Sequence, residues 1–440
     1  MLPLAAATYF MVSGGPYAIE DILGGAGYLK ALILLVILPL VWCLPTTLMI
    51  GELASSIPAE GGFYIWVRRA MGPFWGFQEA WLSLTASIFD MAIYPAIFVL
   101  YLGKLAPAWT AGPRAGFWAF AVVGMCCVWN LWGAPAVGNG SVSLFLALSS
   151  PFLLIVLLAV WRGIHAPFAG VSWGTPPGGT GIETAILVAL WNYMGWDNAS
   201  TVAQEVSDPQ RTYPRAMALS TLAVALSYLL PVAALAMAGF SPAGFTTGSW
   251  TDTARALGGP WLGVAVVIGG TLSGLGMFNS LTLSYSRLPL SLAEDGMLPS
   301  WLAVKNRRGV PVWAVAACGV GWALALRFTF ERLISIDLIL YGASLILEFV
   351  ALVVLRFREP DLPRPFRAGN LAMAIAIGAG PTAMILFAIY AARDERLAGM
   401  PALLFALVVA SVGPCTYWLS GKLWGGPPRP EIQGMESSRD

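Results

Sequence analysis

The feature that most constrains this chain is a succession of apolar runs, each about 20 residues long, separated by charged residues, prolines or glycines. A helix of that length crosses the roughly 30 Å hydrocarbon core of a bilayer. Of the 440 residues, 58% are hydrophobic and only 11% are charged, whereas about a quarter of the residues in a soluble domain carry a charge. The sequence therefore predicts an all-α integral membrane protein.

Twelve such runs can be distinguished, so we expect about 12 transmembrane helices. They lie near residues 2–26, 31–52, 73–102, 116–131, 141–161, 181–206, 214–238, 260–292, 311–326, 333–355, 371–392 and 400–419. We predict one membrane domain over residues 1–424. The remaining residues, 425–440, contain three prolines and mixed charges, and we expect a disordered cytoplasmic tail there.

The distribution of basic residues predicts the orientation in the membrane. If the N-terminus is placed in the cytoplasm, most of the 24 lysines and arginines fall in loops on the cytoplasmic side. Loops rich in these residues stay in the cytoplasm, so both termini are expected there, in a multi-pass protein of the cell membrane. The net charge of +1 gives no reason to expect a nucleic-acid partner.

Several functional classes are disfavoured by residue content. The chain has one histidine, His165, and five cysteines without CxxC spacing, so we expect no metal site, no disulfide framework and no cofactor. A membrane enzyme would need a metal cluster or an acid-base pair with a nucleophile, and the sequence offers neither pattern. A channel is the alternative of a different class, although we recognise no repeated pore filter.

Two of the predicted spans are interrupted at corresponding positions, five spans apart. The first is broken by Ser-Gly-Gly-Pro at 13–16 and the sixth near residues 192–197. Paired breaks of this kind occur in transporters built from inverted halves, where the unwound backbone forms a binding site near the middle of the membrane. We therefore expect unpaired peptide groups at both breaks, which substrate or water must satisfy. We also expect the second half of the first helix to start at Pro16.

Five strings along the chain resemble the amino acid, polyamine and organocation permeases over nearly its whole length. They are Val-Ser-Gly-Gly-Pro at 12–16, Tyr-Met-Gly-Trp-Asp at 193–197, Gln-Glu-Val at 204–206 with the inner-loop exit at 209–216, Ser-Arg at 286–287 with 293–299, and 355–367. The string at 72–79, Gly-Pro-Phe-Trp-Gly-Phe-Gln-Glu, and the Gly-Gly-Pro break are most similar to the plant-type polyamine uptake carriers and their microbial relatives.

The resemblance implies a leucine-transporter type fold, an inverted repeat of five plus five helices in which helices 1 and 6 are discontinuous. The first repeat would cover about 2–162 and the second about 181–356, with two additional helices at about 371–420. The sequence departs from the family pattern at Pro16, where amino acid carriers commonly keep a backbone donor. The fifth helix, 141–161, lacks the lysine that some proton-coupled relatives use, so the coupling ion stays open, with a proton as the first hypothesis.

The substrate site is expected at the two breaks and at the acidic residues near them. The candidate substrate-binding residues are Ser13, Gly14, Gly15, Asp90, Asn192, Tyr193, Gly195, Trp196, Asp197 and Tyr341. Asp90 and Asp197 would receive an ammonium group, because charged residues within a span are costly and therefore functional candidates. The resemblance implies that Trp196 closes over the substrate, where its ring face would favour a cation.

Four further residues are candidates for gating or proton coupling: Glu20, Glu79, Glu205 and Arg211. Glu79 lies 11 residues before Asp90, which corresponds to roughly 16 Å along a helix and nearly the same face, so both can line one pathway. Glu205 is expected to pair with Arg211 or Arg215 at the inner side. Asp337 and Glu348 are further acidic residues on the tenth predicted helix.

The sequence thus predicts a secondary active transporter that takes up a small amine, such as putrescine or spermidine, by alternating access. Proton coupling through Asp90 or Glu79 is the first hypothesis. An amino acid permease of the same superfamily is the alternative, because exposed N–H groups at Gly14 and Gly15 would suit a substrate carboxylate.

Overall fold

The computed structural model describes residues 1–165, 173–174, 176, 179, 181–327, 330–397 and 399–424. For residues 330–333 and 397, only the backbone is described. The tail expected to be disordered, 425–440, lies outside the described residues. Helices account for most of the described chain, as the apolar runs predict.

Many of the longer helices begin at a proline or directly after a glycine. Proline is tolerated at the first position of a helix because its missing N–H would have no helical partner there. The helices are α1 (Leu2–Val12), α2 (Glu20–Leu38), α3 (Leu44–Ser56), α4 (Phe63–Met71), α5 (Pro73–Leu105), α6 (Pro107–Thr110), α7 (Pro113–Asn130), α8 (Ala134–His165), α9 (Ile182–Trp191), α10 (Pro209–Met237), α11 (Trp250–Gly258), α12 (Pro260–Tyr285), α13 (Arg287–Glu294), α14 (Val312–Ala325), α15 (Phe330–Arg358), α16 (Leu371–Ala391) and α17 (Ala402–Trp424). A π-helical turn, Pro39–Cys43, joins α2 to α3, and 3₁₀ turns cover Trp196–Thr201, Ala203–Glu205 and Ser300–Ala303. Two strands of two residues each, β1 (Arg396–Leu397) and β2 (Met400–Pro401), form an antiparallel pair.

Eight helical stretches within the described residues are long and apolar enough to cross a membrane. Two shorter apolar helices, α1 and α14, accompany them. The predicted multi-pass, all-helical fold is therefore confirmed, whereas the count of 12 spans stays a prediction. The two numbers differ partly because α1 and α9 are half-length helices. In addition, the end of the first predicted span and the whole of the second form one helical stretch, Glu20–Ser56, which is interrupted only locally by the non-helical backbone of Gly27.

The two predicted helix breaks are present. Helix α1 ends at Val12, and helical structure resumes only at Glu20. Helix α9 ends at Trp191, and a 3₁₀ turn begins at Trp196. The expectation that the second half of the first helix starts at Pro16 is wrong, because Gly15 and Ala18 have φ of 81° and 70°, which a right-handed helix does not accommodate.

Two short helices on opposite halves of the chain repeat the same local design. Helix α4 packs on α5, and α11 packs on α12. Each has nine residues and ends at a glycine with positive φ, 96° at Gly72 and 84° at Gly259. Each glycine precedes a proline, Pro73 or Pro260, that opens the following long helix.

The same correspondence extends into the side-chain packing. A Cβ atom on Gly76 of α5 would lie 2.6 Å from the Cβ of Arg68 in α4. A Cβ atom on Gly263 of α12 would lie 2.5 Å from the Cγ of Arg255 in α11. At both positions, glycine allows the short helix to fold back closely over the long one. This agreement between the halves supports the five-plus-five repeat.

Helices α5 and α12 form the centre of the molecule and pack directly on each other. A Cβ atom on Gly274 of α12 would lie 2.6 Å from the carbonyl oxygen of Tyr94 in α5, so glycine permits the close approach. Helix α5 also packs on α15, and helix α12 packs on α8. These two contacts are equivalent in the predicted five-plus-five repeat. Helices α16 and α17 pack on α15 and α5. The repeat and domain boundaries themselves stay predictions.

Candidate functional site

The first break, residues 13–19, packs against helix α12 and is held by side chains. Ser13 ends α1 in an extended conformation, and its hydroxyl accepts a hydrogen bond from the Gly15 N–H at 3.0 Å. A Cβ atom on Gly14 would overlap the hydroxyl of Ser273 in α12. The carbonyl oxygen of Pro16 accepts a hydrogen bond from the indole of Trp250 at 2.6 Å. The break is therefore a packed turn with several of its polar groups already bonded.

The second break, residues 192–195, lies directly against the end of α1. Gly195 has φ of 90°, and a Cβ atom there would lie 2.6 Å from the carbonyl oxygen of Met11. The Gly195 N–H donates to the Tyr341 hydroxyl at 3.0 Å. Tyr341 in turn donates to the carboxylate of Asp197. The two breaks, Asp197 and Tyr341 are thus brought together as the sequence predicts.

The carbonyl groups freed by the second break are satisfied by aromatic side chains. The Tyr193 carbonyl oxygen accepts hydrogen bonds from the indoles of Trp42 and Trp196, at 3.0 and 2.8 Å. The Asn192 carbonyl oxygen accepts one from the Tyr228 hydroxyl at 2.8 Å. The expectation that substrate or water must pair the break's peptide groups is therefore wrong for these groups. Two of the three donors, Trp42 and Tyr228, come from distant segments, which sequence spacing does not reveal.

Two of the candidate side chains point away from the breaks. The Asn192 amide donates to the Val188 carbonyl oxygen in its own helix at 2.9 Å. The Tyr193 hydroxyl donates to the Leu35 carbonyl oxygen in α2 at 3.1 Å. Both residues anchor the break to its surroundings through their side chains.

Asp90 lies buried on α5 and contacts Trp191, which is not among the residues predicted from the sequence. The carboxylate accepts hydrogen bonds from the Tyr94 hydroxyl at 2.5 Å and the Trp191 indole at 3.2 Å. The rings of Tyr94 and Trp191 are stacked. Trp196 is fully buried, with its indole N–H bonded to Tyr193. Trp191 was missed, and its signal in the sequence is its position immediately before the break.

Three other carboxyl groups lie near Asp90 and Asp197. Asp337 interacts electrostatically with both of them, and neither oxygen of its carboxyl group has a hydrogen-bond partner. Both carboxyl oxygens of Glu348 also have no hydrogen-bond partner, and Glu348 interacts electrostatically with Asp197 and Glu79. Glu79 accepts hydrogen bonds from two serines and has one unpartnered oxygen.

These five carboxyl groups share an unusual environment. Each side chain is at most 3% exposed, and no ion pair within the described residues includes any of them. A buried carboxylate without a cationic partner is costly, so such a group takes up a proton or a cationic ligand. We refer to Glu79, Asp90, Asp197, Asp337 and Glu348 as the acidic core. The arrangement can attract a small molecule that carries several positive charges.

The face of the protein on which α1 begins is closed by ion pairs. Arg287 is fully buried and donates to the Glu205 carboxylate at 2.7 Å. Arg211 does not contact Glu205: it lies 4.0 Å from Asp208 with an exposed side chain. The expected pair of Glu205 with Arg211 or Arg215 is therefore wrong, because α13 brings Arg287 to Glu205 from 82 residues away.

The same face carries a second group of ion pairs, around Lys305. Its ammonium group lies 2.9 Å from the Glu60 carboxylate and 3.0 Å from that of Glu294. Partial burial lowers the pKa of Lys305, but the hydrogen bonds to Glu60 and Glu294 outweigh this effect, so its pKa is raised above its ordinary value. These pairs connect α13 and its following loop to the segment before α4.

On the opposite face, the segment before α11 covers the start of α2. The Glu20 carboxylate accepts hydrogen bonds from the Tyr101 hydroxyl and the Gly248 N–H, both at 2.9 Å. The Asp21 carboxylate accepts from the hydroxyl of Thr247 at 2.6 Å. Glu20 is fully buried and one of its oxygens has no partner. Of the four gating candidates, Glu20 and Glu205 lie at opposite closures, Glu79 in the acidic core and Arg211 at the surface.

Comparisons with known proteins agree with this architecture. The family described as amino acid permease matches residues 4–418 of the chain. A polyamine transporter of Oryza sativa subsp. japonica is 35% identical over 88% of this chain and 72% of its own length. A probable polyamine transporter of Arabidopsis thaliana is 31% identical over 96% of this chain and 85% of its own. An uncharacterized transporter of Legionella pneumophila is 26% identical over 78% of each chain. The chain therefore belongs to the amino acid permease family of multi-pass membrane transport proteins.

Proposed function

We propose that this protein is a secondary active transporter that carries linear polyamines across the cell membrane by alternating access. The observation that carries the proposal is the acidic core, five buried carboxyl groups with no basic partner among the described residues. Ammonium groups of a polyamine would supply the missing positive charges. The names of the plant relatives, which are called polyamine transporters or probable ones, point to the same class of substrate.

Three members of the acidic core are best placed to receive the first ammonium groups. Asp337 interacts electrostatically with both Asp90 and Asp197, and these two lie beside the second helix break. The stacked rings of Tyr94 and Trp191 lie next to Asp90, and aromatic ring faces attract cations. The breaks then serve as rigid, hydrogen-bonded corners that hold Asp197 and Trp191 in position.

The amino acid alternative needs free N–H groups for the substrate carboxylate. Of the two N–H groups proposed for it, at Gly14 and Gly15, that of Gly15 is bonded to Ser13. At the second break, the Gly195 N–H is bonded to Tyr341. A carboxylate would also be repelled by the acidic core. We therefore favour a polyamine over an amino acid.

Alternating access would open the two closures in turn. The Glu205–Arg287 pair would close the pathway on the face where α1 begins, and the contacts of Glu20 and Trp250 would close it on the other. We place the first face in the cytoplasm, because most basic loops lie on that side when both termini are cytoplasmic. Helices on either side of a fixed central site can then rock between the two states.

We further propose that transport is coupled to protons. A buried carboxyl group that releases a polyamine must be neutralised in another way, and a proton is the simplest replacement. The empty transporter would then return to its starting conformation with the acidic core protonated. Glu79 and Asp90 are the first candidates, as the sequence suggests.

Uptake by the purified protein in proteoliposomes tests the proposal. We expect saturable uptake of labelled putrescine and spermidine and little uptake across a panel of amino acids. Asp90→Asn should reduce polyamine uptake by about tenfold or more. A change of this size corresponds to the free energy of about one hydrogen bond to a charged group. The matched control is Asp252→Asn, because Asp252 is a 68% exposed aspartate in α11.

Four outcomes would contradict parts of this proposal. Polyamine uptake unaffected by Asp90→Asn would remove the acidic core from the mechanism, and uptake confined to amino acids would favour the alternative. Uptake that rises linearly with concentration would favour a channel. If an inward pH gradient without sodium drives no accumulation, the proton is not the coupling ion.

A further inference from the structure

Helices α5 and α15 present matching polar stripes to each other. On α15, Asp337, Tyr341, Ser344 and Glu348 follow at intervals of four, three and four residues, which places them on one helix face. On α5, Glu79, Ser83 and Asp90 are spaced by four and seven residues, which also places them on one helix face. The stripes meet where Ser344 donates to Glu79 at 2.9 Å and lies 2.7 Å from the hydroxyl of Ser83.

The stripes run antiparallel and carry carboxyl groups at two levels. Asp90 interacts with Asp337 at one level, and Glu79 interacts with Glu348 at the other. We call these the central pair and the distal pair. In each helix the two acidic residues are 11 positions apart, so the levels are separated by roughly 16 Å. Asp197, bonded to Tyr341, lies between them and interacts with residues at both levels.

The distal pair has the features of an incomplete binding site. Glu79 and Glu348 are both 0% exposed, and three of their four carboxyl oxygens have no hydrogen-bond partner. Ser83 and Ser344 are neutral and both contact the fourth oxygen, Oε1 of Glu79. By contrast, Glu52, a buried glutamate on α3, is fully paired with Arg356 and Arg364. Glu52 is thus neutralised by cationic partners, whereas the distal pair has none among the described residues.

We propose that the distal pair is a second ammonium subsite, which engages the far end of polyamines with three or more ammonium groups. This inference rests on the proposed polyamine transport and adds a rule for substrate length. An extended chain advances about 1.25 Å per bond, so a four-carbon diamine spans about 6 Å and cannot reach from one level to the other. A tetraamine of the spermine type spans about 16 Å and can bridge both levels, while a triamine of the spermidine type can reach from Asp197 to the distal pair.

The test compares Glu348→Gln and Glu79→Gln with the unaltered protein in proteoliposomes, using labelled putrescine, spermidine and spermine. Glutamine keeps the size of the side chain and removes the charge. We expect the KM for spermine and spermidine to rise about tenfold in each variant, while the KM for putrescine changes less than about twofold. Glu348→Asp, which keeps the charge, should retain most of the preference for long polyamines and provides a second variant if glutamine prevents folding.

The result that would overturn the proposal is an equal change for all three substrates, or no change for any. An equal fall in maximal rate with an unchanged KM would instead assign the distal pair to proton coupling. Failure of polyamine transport itself is distinguishable, because the unaltered protein would then show no saturable uptake of any of the three amines. Asp90→Asn serves as the comparison, since it should impair all three.

Discussion

Gly195 lies directly against the carbonyl oxygen of Met11, so the two broken spans meet at a point where no side chain fits. The contact joins the end of α1 to the turn that follows α9, one from each half of the chain. It brings Asp197 and Tyr341 to the same place, because Tyr341 bonds both to the Gly195 N–H and to Asp197. The close approach of the backbones therefore helps to position Asp197, one member of the acidic core, beside both breaks.

We expect Gly195→Ala to destabilise the protein and to abolish transport. The substitution adds a Cβ atom 2.6 Å from Met11 at a residue with φ of 90°, and the left-handed conformation alone costs about 1–2 kcal/mol for alanine. The matched control is Gly181→Ala, where φ is 95° but nothing lies within 4 Å of the added atom. The thermal midpoint in detergent should fall more for Gly195→Ala. Equal shifts in the two variants would mean that the contact with Met11 is unimportant.

Tyr341→Phe should impair transport more than it impairs folding. The change removes one hydroxyl that both donates to Asp197 and accepts from the Gly195 N–H. Loss of a hydrogen bond to a charged group is worth about 1.5–3 kcal/mol, so we expect the KM for polyamine to change by about tenfold or more. Uptake kinetics are the measurement, with Tyr390→Phe, at an exposed position, as the control. Kinetics that match the control would remove Tyr341 from the site.

Removal of Arg287 should have a much larger effect than removal of Arg211. Arg287 is fully buried between Glu205 and Glu60, and loss of one partner from a buried pair costs about 3–5 kcal/mol. Arg211 is 79% exposed beside Asp208, and exposed pairs contribute at most about 1 kcal/mol. Thermal unfolding of Arg287→Met and Arg211→Met measures the difference. A similar loss of stability in both variants would restore the pairing of Glu205 with Arg211 that the sequence suggests.

Trp191→Phe and Trp196→Phe should separate substrate binding from support of the break. Trp191 donates to Asp90, so its loss should raise the KM for polyamine severalfold with a small effect on stability. Trp196 donates to the Tyr193 carbonyl oxygen within the break, so its loss should mainly lower the thermal midpoint. Uptake kinetics and thermal unfolding of the same preparations test both statements. The reverse pattern would support Trp196 as the residue that closes over the substrate.

The sequence alone was sufficient to predict the fold class, the family and the two breaks. Apolar runs of membrane-spanning length follow from the thickness of the bilayer, and glycine and proline mark the places where a helix must stop. Asp90, Asp197 and Tyr341 were also predicted as site candidates, because polar residues deep in an apolar span require a reason. These inferences depend on local composition and spacing, which a sequence displays directly.

The partners of those residues were decided by the tertiary structure. The pairing of Glu205 with Arg287, the contact of Trp191 with Asp90 and the three distant aromatic donors to the breaks, Trp42, Tyr228 and Trp250, all join segments that are far apart in the sequence. The facing stripes on α5 and α15 arise in the same way, because they depend on how two distant helices are rotated against each other. Sequence spacing determines which residues share one helix face, whereas packing between helices determines what that face meets.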